Sequence, residues 1–170
     1  MQELPKRKAN RLADYDYSSN GAYFITICTL DMKCILSDIV GVDDLGSPYK
    51  IHLTKYGVVA EQNIVRMNGI YNDITVTDYV IMPNHIHMLL TVCKSNAIDS
   101  GAPRSSPPTN TLSKFVTAFK KFTEKEIGKR IWQRSYHDHI IRNDEDLCLH
   151  IQYIEENPKK WLMGKDKYYI

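Results

Sequence analysis

Alternating hydrophobic and polar residues between positions 73 and 93 predict a β-hairpin. Residues 73–82, DITVTDYVIM, and residues 85–93, HIHMLLTVC, are rich in strand-forming side chains, and a Pro-Asn turn signal separates them. The segment GAYFITICTL at 21–30 has the same strand character. We expect it to be a central strand, with residues 33–39 as its hairpin partner and a further short strand at 49–54.

Apolar residues at helical spacing predict three helices. The first covers residues 55–68, and the second covers residues 111–127, where a lysine-rich face lies above an apolar stripe. The third begins after Asn143, a favourable N-cap residue. We expect this helix to end near Asn157, because Pro158 disfavours helical backbone in the residue before it.

The order of these elements predicts the fold class. Strands and helices are mixed without strict alternation, which favours an α+β fold with a central, mainly antiparallel sheet flanked by helices. Residues 94–110 are rich in Ser, Pro, Gly and Asn, so we predict a flexible loop there. The chain has 170 residues, and we expect residues 1–170 to form one domain.

Composition narrows the class of protein only slightly. Hydrophobic residues make up 43% of the chain and charged residues 25%, as is usual for soluble globular proteins. No apolar stretch approaches the roughly 20 residues of a membrane helix, and the N-terminus lacks the apolar core of a secretory signal. We therefore expect no membrane partner and a cytoplasmic location. Four scattered cysteines predict neither a disulfide framework nor a structural zinc site.

Charge alone does not indicate a nucleic-acid partner, because the net charge is only +2. Basic residues nevertheless crowd the N-terminus (Lys6, Arg7, Lys8 and Arg11) and the segment 114–130. Such clusters are commonly solvated helix faces or tails, and they are also typical of phosphate-binding surfaces.

His85 and His87 carry the first candidate chemistry. In a strand, these two residues face the same side while Ile86 faces the other, so two imidazoles can point at one divalent ion. A His-x-His pair alone is also compatible with two buried, hydrogen-bonded histidines that serve the structure.

Tyr153 and Asn157 carry the second candidate chemistry. They are four residues apart on the third predicted helix and therefore lie one above the other on one face. A phenol can attack phosphorus, and an amide oxygen beside imidazoles suits Mg²⁺ or Mn²⁺. Without other features, a surface tyrosine and an ordinary residue before a proline explain the same pattern.

Four segments together resemble the single-tyrosine HUH transposases of the insertion-sequence-200 type, and most closely the REP-associated tyrosine transposases. They are RLADYDYSSNGAYFITICT at 11–29, VIMPNHIHMLL at 80–90, IWQRSYHDHIIRNDEDL at 131–147 and YIEENPKKW at 153–161. The segment at 80–90 resembles the family's His-hydrophobic-His motif, and the segment at 153–161 resembles its Tyr-Ile-x-x-Asn-Pro signature. The resemblance covers nearly the whole chain.

The resemblance implies a fold, a reaction and a site. The fold would be ferredoxin-like, and the reaction would cleave and rejoin single-stranded DNA with Mg²⁺ or Mn²⁺. Tyr153 would be the nucleophile that keeps a 5′-phosphotyrosine, His85 and His87 would hold the metal, and Asn157 would be its third protein ligand. The partner would be single-stranded DNA with hairpin or palindromic repeats, which also implies association with the nucleoid.

The sequence predicts the residues that contact DNA less specifically than it predicts the metal and tyrosine site. The basic and aromatic residues available for phosphate contacts and base stacking include Tyr15, Tyr17 and Trp132. Our candidate DNA-binding residues are Lys114, Lys120, Lys121, Arg134, Arg142, His137 and His139.

Several alternatives stay open at this point. Tyr136 is a rival nucleophile, although it lacks an amide four residues on. A replication or conjugation nickase would use the same chemistry for another task, and a domesticated DNA-repeat-binding protein would no longer cut. The sequence does not decide between a homodimer and a monomer.

Overall fold

Strands and helices of the computed structural model follow one another in a ferredoxin-like order. The structure describes residues 19–41, 49–93 and 111–168, so the basic N-terminus, Tyr15, Tyr17 and the predicted loop at 94–110 lie outside the described residues. The described elements are β1 (Gly21–Cys28), β2 (Ser37–Val40), β3 (Lys50–Leu53), α1 (Lys55–Ile70), β4 (Ile74–Ile81), β5 (His85–Val92), α2 (Thr111–Ile127), β6 (His137–Ile141) and α3 (Asp144–Leu162).

The main sheet has the strand order β4-β5-β1-β6, and each neighbouring pair is antiparallel. The connection from β1 to β4 contains α1, and the connection from β5 to β6 contains α2. This is the β-α-β-β-α-β pattern of ferredoxin-like folds, with α3 added at the end. The prediction of an α+β fold with an antiparallel sheet flanked by helices is confirmed.

The predicted pairing of β1 with residues 33–39 is wrong. β2 pairs instead with β3, in a separate two-stranded sheet with Ser37 opposite Leu53. Both hydrogen-bonding edges of β1 are already occupied, by β5 on one side and β6 on the other. The predicted β4–β5 hairpin around Pro83 is present, with a register shift between Val76 and Asp78.

Strand alternation divides the interior into two core clusters. The first core cluster packs one face of the sheet against α1 and α2, and it includes Ile25, Ile86, Met88, Ile64 and Phe115. The second core cluster packs the opposite face against α3 and against β2 and β3. It includes Phe24, Leu89 and Ile154, and the partly buried Ile39 and Trp161 pack against it. The face that carries α3 also carries the candidate site.

The helix α3 continues past the predicted end at Asn157 and reaches Leu162 with Pro158 inside it. Pro158 has no N–H to donate to the carbonyl one turn earlier, which weakens the helix locally. Both Asn157 and Pro158 are buried, and Trp161 packs against the second core cluster. We attribute the extra turn to this packing, which the local proline rule does not take into account.

The start of α1 packs closely against the preceding chain. Thr54 caps the helix, since its side chain accepts hydrogen bonds from the backbone N–H groups of Tyr56 and Gly57. A Cβ atom on Gly57 would lie only 2.0 Å from the carbonyl oxygen of Leu36. Glycine is therefore required at this contact. None of the described helices is long and apolar enough to cross a membrane.

Candidate metal and tyrosine site

His85 and His87 lie side by side on the α3 face of the sheet. Their exposed fractions are 0% and 1%, and Ile86 between them lies in the first core cluster. The two Nε2 atoms are 3.0 Å apart. The alternation predicted for this strand thus brings two imidazole nitrogens to one point.

Each imidazole is oriented through its other nitrogen. His85 Nδ1 lies 2.7 Å from Asn84 Oδ1, which can only accept, so the His85 N–H donates to Asn84 and Nε2 carries a lone pair. His87 Nδ1 lies 2.8 Å from the hydroxyl oxygen of Thr26. A second contact that fixes the tautomer and ring orientation is typical of metal-binding histidines.

Both histidines are held in the neutral form. Burial lowers the pKa of His85 to about 3, and the nearby Asn157 amide opposes part of that shift. Burial also lowers the pKa of His87 well below its ordinary value, and the positive charge of nearby Lys167 acts in the same direction. Neutral imidazoles are the form that binds metal ions.

Asn157 reaches the pair from α3. Its side chain is fully buried, and neither its amide oxygen nor its amide nitrogen has a hydrogen-bond partner. A buried amide without partners costs about 1 to 3 kcal/mol, and such groups are rare unless they serve a function. The amide lies near His85, Tyr153 and Asp166, because it affects the pKa of each.

Tyr153 lies one turn before Asn157 and faces the histidines. Its ring centroid is 5.1 Å from that of His87, and the Lys160 ammonium lies 5.0 Å from the ring centroid. Burial raises the pKa of Tyr153, and the negative charge of Asp166 raises it further. The phenol is therefore protonated at neutral pH and needs nearby positive charge to ionise.

A cavity of about 590 Å³ opens in front of Tyr153. This tyrosine cavity lies between β6, α3 and the C-terminal segment, and its walls include His87, His137, His139, His150, Tyr153 and Tyr168. The cavity is open to solvent.

Tyr136 lies elsewhere. Its ring packs against the first core cluster, on the α2 side of the sheet, and its hydroxyl lies 3.2 Å from Ser113 Oγ of α2. The structure thus separates Tyr136 from His85 and His87, which occupy the opposite face.

The candidate DNA-binding residues fall into two groups. Arg142 is exposed at the end of β6, and His137 and His139 line the tyrosine cavity. The others belong to α2 and the segment after it, where Lys114 and Lys121 are exposed. A second cavity of about 640 Å³, here called the basic groove, is lined by residues that include Lys120, Lys121, Lys125, Lys129, Arg130 and Arg134.

Lys120 differs from its basic neighbours. Its ammonium donates to the backbone carbonyls of Gln133 and Ser135, at 2.9 and 2.8 Å. Burial lowers the pKa of Lys120 to about 8. These contacts tie α2 to the segment that leads into β6.

Sequence reasoning missed several residues of the site. Thr26 and Asn84 orient the histidines, and nothing in their local sequence pattern indicates this. Asp146 and His150 are four residues apart on α3, a spacing that places them together on one helix face. Asp166 and Tyr168 reach the site only through the path of the folded chain after α3.

No family model matches the chain. Two proteins from Haemophilus influenzae are similar to it. One is uncharacterised and 27% identical, over 96% of this chain and 93% of its own length. The other, which its name assigns provisionally to the REP-associated tyrosine transposases, is 30% identical over 85% of this chain and 74% of its own length. A REP-associated tyrosine transposase from Escherichia coli is 29% identical over 48% of this chain and 42% of its own length.

A solved structure with the same fold is similar to this chain. It is described as a REP-associated tyrosine transposase bound to a REP hairpin, and its TM-score with this chain is 0.58. The match covers 86% of this chain and 70% of that chain, at 22% sequence identity.

Proposed function

The chain belongs to the REP-associated tyrosine transposases, and from this premise we propose that it is a metal-dependent DNA strand transferase that cleaves and rejoins single-stranded DNA through Tyr153. The observation that carries the proposal is the convergence of four buried or half-buried groups from two elements of the fold. His85 and His87 come from β5, and Tyr153 and Asn157 come from α3.

The residues fit a divalent cation. Ligand bonds of about 2.0 to 2.2 Å place neighbouring ligand atoms roughly 3 to 3.5 Å apart, and the two Nε2 atoms are 3.0 Å apart. The Asn157 amide has no hydrogen-bond partner among the protein groups around it, as expected of a group that a cation would satisfy. When bound, Mg²⁺ or Mn²⁺ would polarise the scissile phosphate and favour ionised phenol.

The Asn157 amide lies beside His85, Tyr153 and Asp166, whose pKa values it shifts. We infer that Asn157 would offer its oxygen to the cation, because an amide nitrogen only donates hydrogen bonds and an amide oxygen carries lone pairs.

Cleavage then exchanges one phosphorus–oxygen bond for another. The phenol gives up its proton, the Tyr153 oxygen forms a bond to phosphorus, and the bond from phosphorus to the 3′ oxygen breaks. The departing oxygen takes up a proton and leaves as a 3′-hydroxyl. The covalent 5′-phosphotyrosine conserves the phosphodiester for rejoining, in which a 3′-hydroxyl attacks and the phenol leaves.

The charge distribution suggests how DNA is held. The tyrosine cavity has room for a single strand, with His137, His139 and Arg142 near it, whereas the basic groove presents Lys121 and Arg134 on the α2 side. The related structure bound to a REP hairpin suggests a hairpin substrate for this chain as well. We assign the phosphate contacts of a hairpin stem to the basic groove.

A denaturing gel tests the proposal. The protein is incubated with labelled single-stranded hairpin DNA from the flanks of its own gene, with Mn²⁺, with Mg²⁺ or with EDTA. We expect a metal-dependent covalent adduct in the wild type and in Tyr136→Phe, and none in Tyr153→Phe. Tyr136→Phe is the matched control, because it removes a half-buried phenol on the opposite face.

Loss of the adduct in Tyr136→Phe, with retention in Tyr153→Phe, would overturn the assignment of the nucleophile. Tight hairpin binding without any adduct would favour the domesticated DNA-binding protein. Cleavage without rejoined products would favour the nickase.

A further inference from the structure

A second cluster of metal-ligating side chains lies on the same face of the sheet as His85 and His87. We propose that His139, Asp146 and His150 form a separate site for a divalent transition-metal ion. His139 comes from β6, and Asp146 and His150 come from the first two turns of α3. Among residues 19–41, 49–93 and 111–168, this is the one group of three or more His, Cys, Asp or Glu side chains whose ligand atoms lie within 4.8 Å of one another.

The distances match those between ligands of one ion. His139 Nε2 lies 2.9 Å from one carboxylate oxygen of Asp146 and 3.1 Å from the other, and His150 Nδ1 lies 3.2 Å from the Asp146 carboxylate. Ligand atoms bound at about 2.0 to 2.2 Å are separated by roughly the same distances. His150 Nδ1 also lies 2.8 Å from the backbone carbonyl of Asp146, which can only accept, so Nδ1 carries a proton and donates there. A cation would bind at Nε2, or at Nδ1 in place of this hydrogen bond.

The carboxylate is held in place by its surroundings. Asp146 accepts a hydrogen bond of 3.1 Å from the backbone N–H of Arg142, and its own backbone N–H donates to the Asn143 side chain. The rings of His139 and His150 are stacked, with centroids 4.6 Å apart and an interplanar angle of 18°. Outer contacts of this kind orient ligands before a metal arrives.

The donor set and its exposure indicate the type of ion. Two imidazoles and one carboxylate suit Zn²⁺, Mn²⁺ or Co²⁺, whereas Ca²⁺ prefers oxygen ligands alone. His139 and His150 both line the tyrosine cavity, so the remaining coordination positions face that cavity. An ion there would leave positions open for a phosphate oxygen, as sites with three protein ligands do.

An ion pair between His139 and Asp146 would explain part of the cluster. Such an ion pair involves only two of the three residues and leaves unexplained why His150 Nδ1 lies close to the same carboxylate. The two explanations differ in whether the cluster takes up metal.

Titration with Co²⁺ separates them, because the visible absorption of bound Co²⁺ reports coordination and stoichiometry. The wild type, Asp146→Asn/His150→Gln and the control His137→Gln are compared after circular dichroism has verified their folding. His137 faces the same cavity but is not part of the cluster. We expect the Asp146→Asn/His150→Gln variant to bind one equivalent less than the wild type, and His137→Gln to bind the same number. His150→Gln alone should weaken binding at this site by about tenfold or more.

The same stoichiometry in the wild type and in Asp146→Asn/His150→Gln would overturn the proposal. This comparison tests the second metal site whether or not His85 and His87 bind a metal ion. If the wild type binds two equivalents of Co²⁺ and the variant binds one, both sites are supported. If the wild type binds one equivalent and the variant binds none, the result supports this site and counts against a cation at His85 and His87. In the second case His85→Gln/His87→Gln would still bind one equivalent.

Discussion

Thr26 and His87 face each other across the ladder between β1 and β5, with Thr26 Oγ1 2.8 Å from His87 Nδ1. The hydroxyl fixes the imidazole so that its Nε2 atom points at His85. Thr26→Val keeps the shape of the side chain and removes this contact. We expect it to weaken Mn²⁺ binding at the histidine pair by about 10- to 100-fold, and Thr26→Ser to restore binding.

Isothermal titration with Mn²⁺ measures this effect when each variant also carries Asp146→Asn/His150→Gln, which removes the second proposed metal site. Thr123→Val is the matched control, because the buried Thr123 hydroxyl donates to the Phe119 carbonyl inside α2, on the other face of the sheet. Unchanged affinity in Thr26→Val would mean that the hydroxyl does not orient His87.

Asn157 should show opposite effects on stability and on metal binding. Its amide is buried without a partner, so Asn157→Leu removes a cost of about 1 to 3 kcal/mol. We expect the metal-free variant to be as stable as the wild type or more stable in urea unfolding, while its affinity for Mn²⁺ falls. A large loss of stability would show that the amide is satisfied in the folded protein.

Asn68→Leu is the control for Asn157→Leu, because the Asn68 amide has hydrogen-bond partners. The Asn68 side chain accepts from the backbone N–H of Val76 at 2.8 Å and donates to its carbonyl at 3.2 Å. Asn68 is exposed, so water can replace part of these contacts, and removing the side chain should destabilise the protein by about 0.5 to 1.5 kcal/mol and leave Mn²⁺ affinity unchanged.

The buried histidines predict an acid-sensitive fold. The pKa of His85 falls from 6.5 to about 3 on folding, so the unfolded chain binds more protons between these values. This contribution to stability is present above pH 6.5 and is lost as the pH falls toward 3. The shift of His87 has the same direction.

Urea unfolding in EDTA at several pH values between 7 and 4 measures this contribution. Each histidine contributes up to about 1.4 kcal/mol per pH unit, and His85→Gln/His87→Gln should lose that part of the slope. His52→Gln, which changes an exposed histidine of β3, should keep it. Parallel pH profiles in the wild type and the double variant would contradict the prediction.

Alanine substitutions at two glycines of α1 should change the stability of the protein in different ways. Gly57→Ala places a Cβ atom 2.0 Å from the Leu36 carbonyl oxygen, so we expect a loss of about 1 to 3 kcal/mol of stability. Gly69→Ala meets no atom within 4 Å and should leave stability unchanged or raise it by up to about 1 kcal/mol. Thermal unfolding of both variants checks the pair.

Local patterns were sufficient for much of this fold. The β4–β5 hairpin follows from alternation and a turn signal, and the shared face of His85 and His87 follows from the two-residue period of a strand. The position of β2 could not be predicted in this way, because it depends on β6, more than 90 residues further along the chain, occupying the free edge of β1. We attribute the extra turn of α3 to packing that includes the partly buried Trp161, which a rule about Pro158 alone does not take into account.

In the candidate site, too, some residues could be predicted from the sequence and others could not. Tyr153 and Asn157 could be singled out by their spacing and by a family resemblance, since both belong to one helix. Asp166 has no such pattern around it, yet it is buried beside Asn157 and one of its carboxylate oxygens has no partner. Contacts that arise only when distant segments meet leave no periodic signal in the sequence.

The central place of β1 has a geometric consequence. His87 belongs to β5 and His139 to β6, and β1 lies hydrogen-bonded between them, which sets their strands two interstrand spacings, or roughly 9.6 Å, apart. Paired ions that act on one phosphate stand about 3.5 to 4 Å from each other. Because β1 keeps the two strands apart, cations held at these histidines would be attached to different strands of the sheet, and we expect them to contact different phosphates of a bound DNA strand.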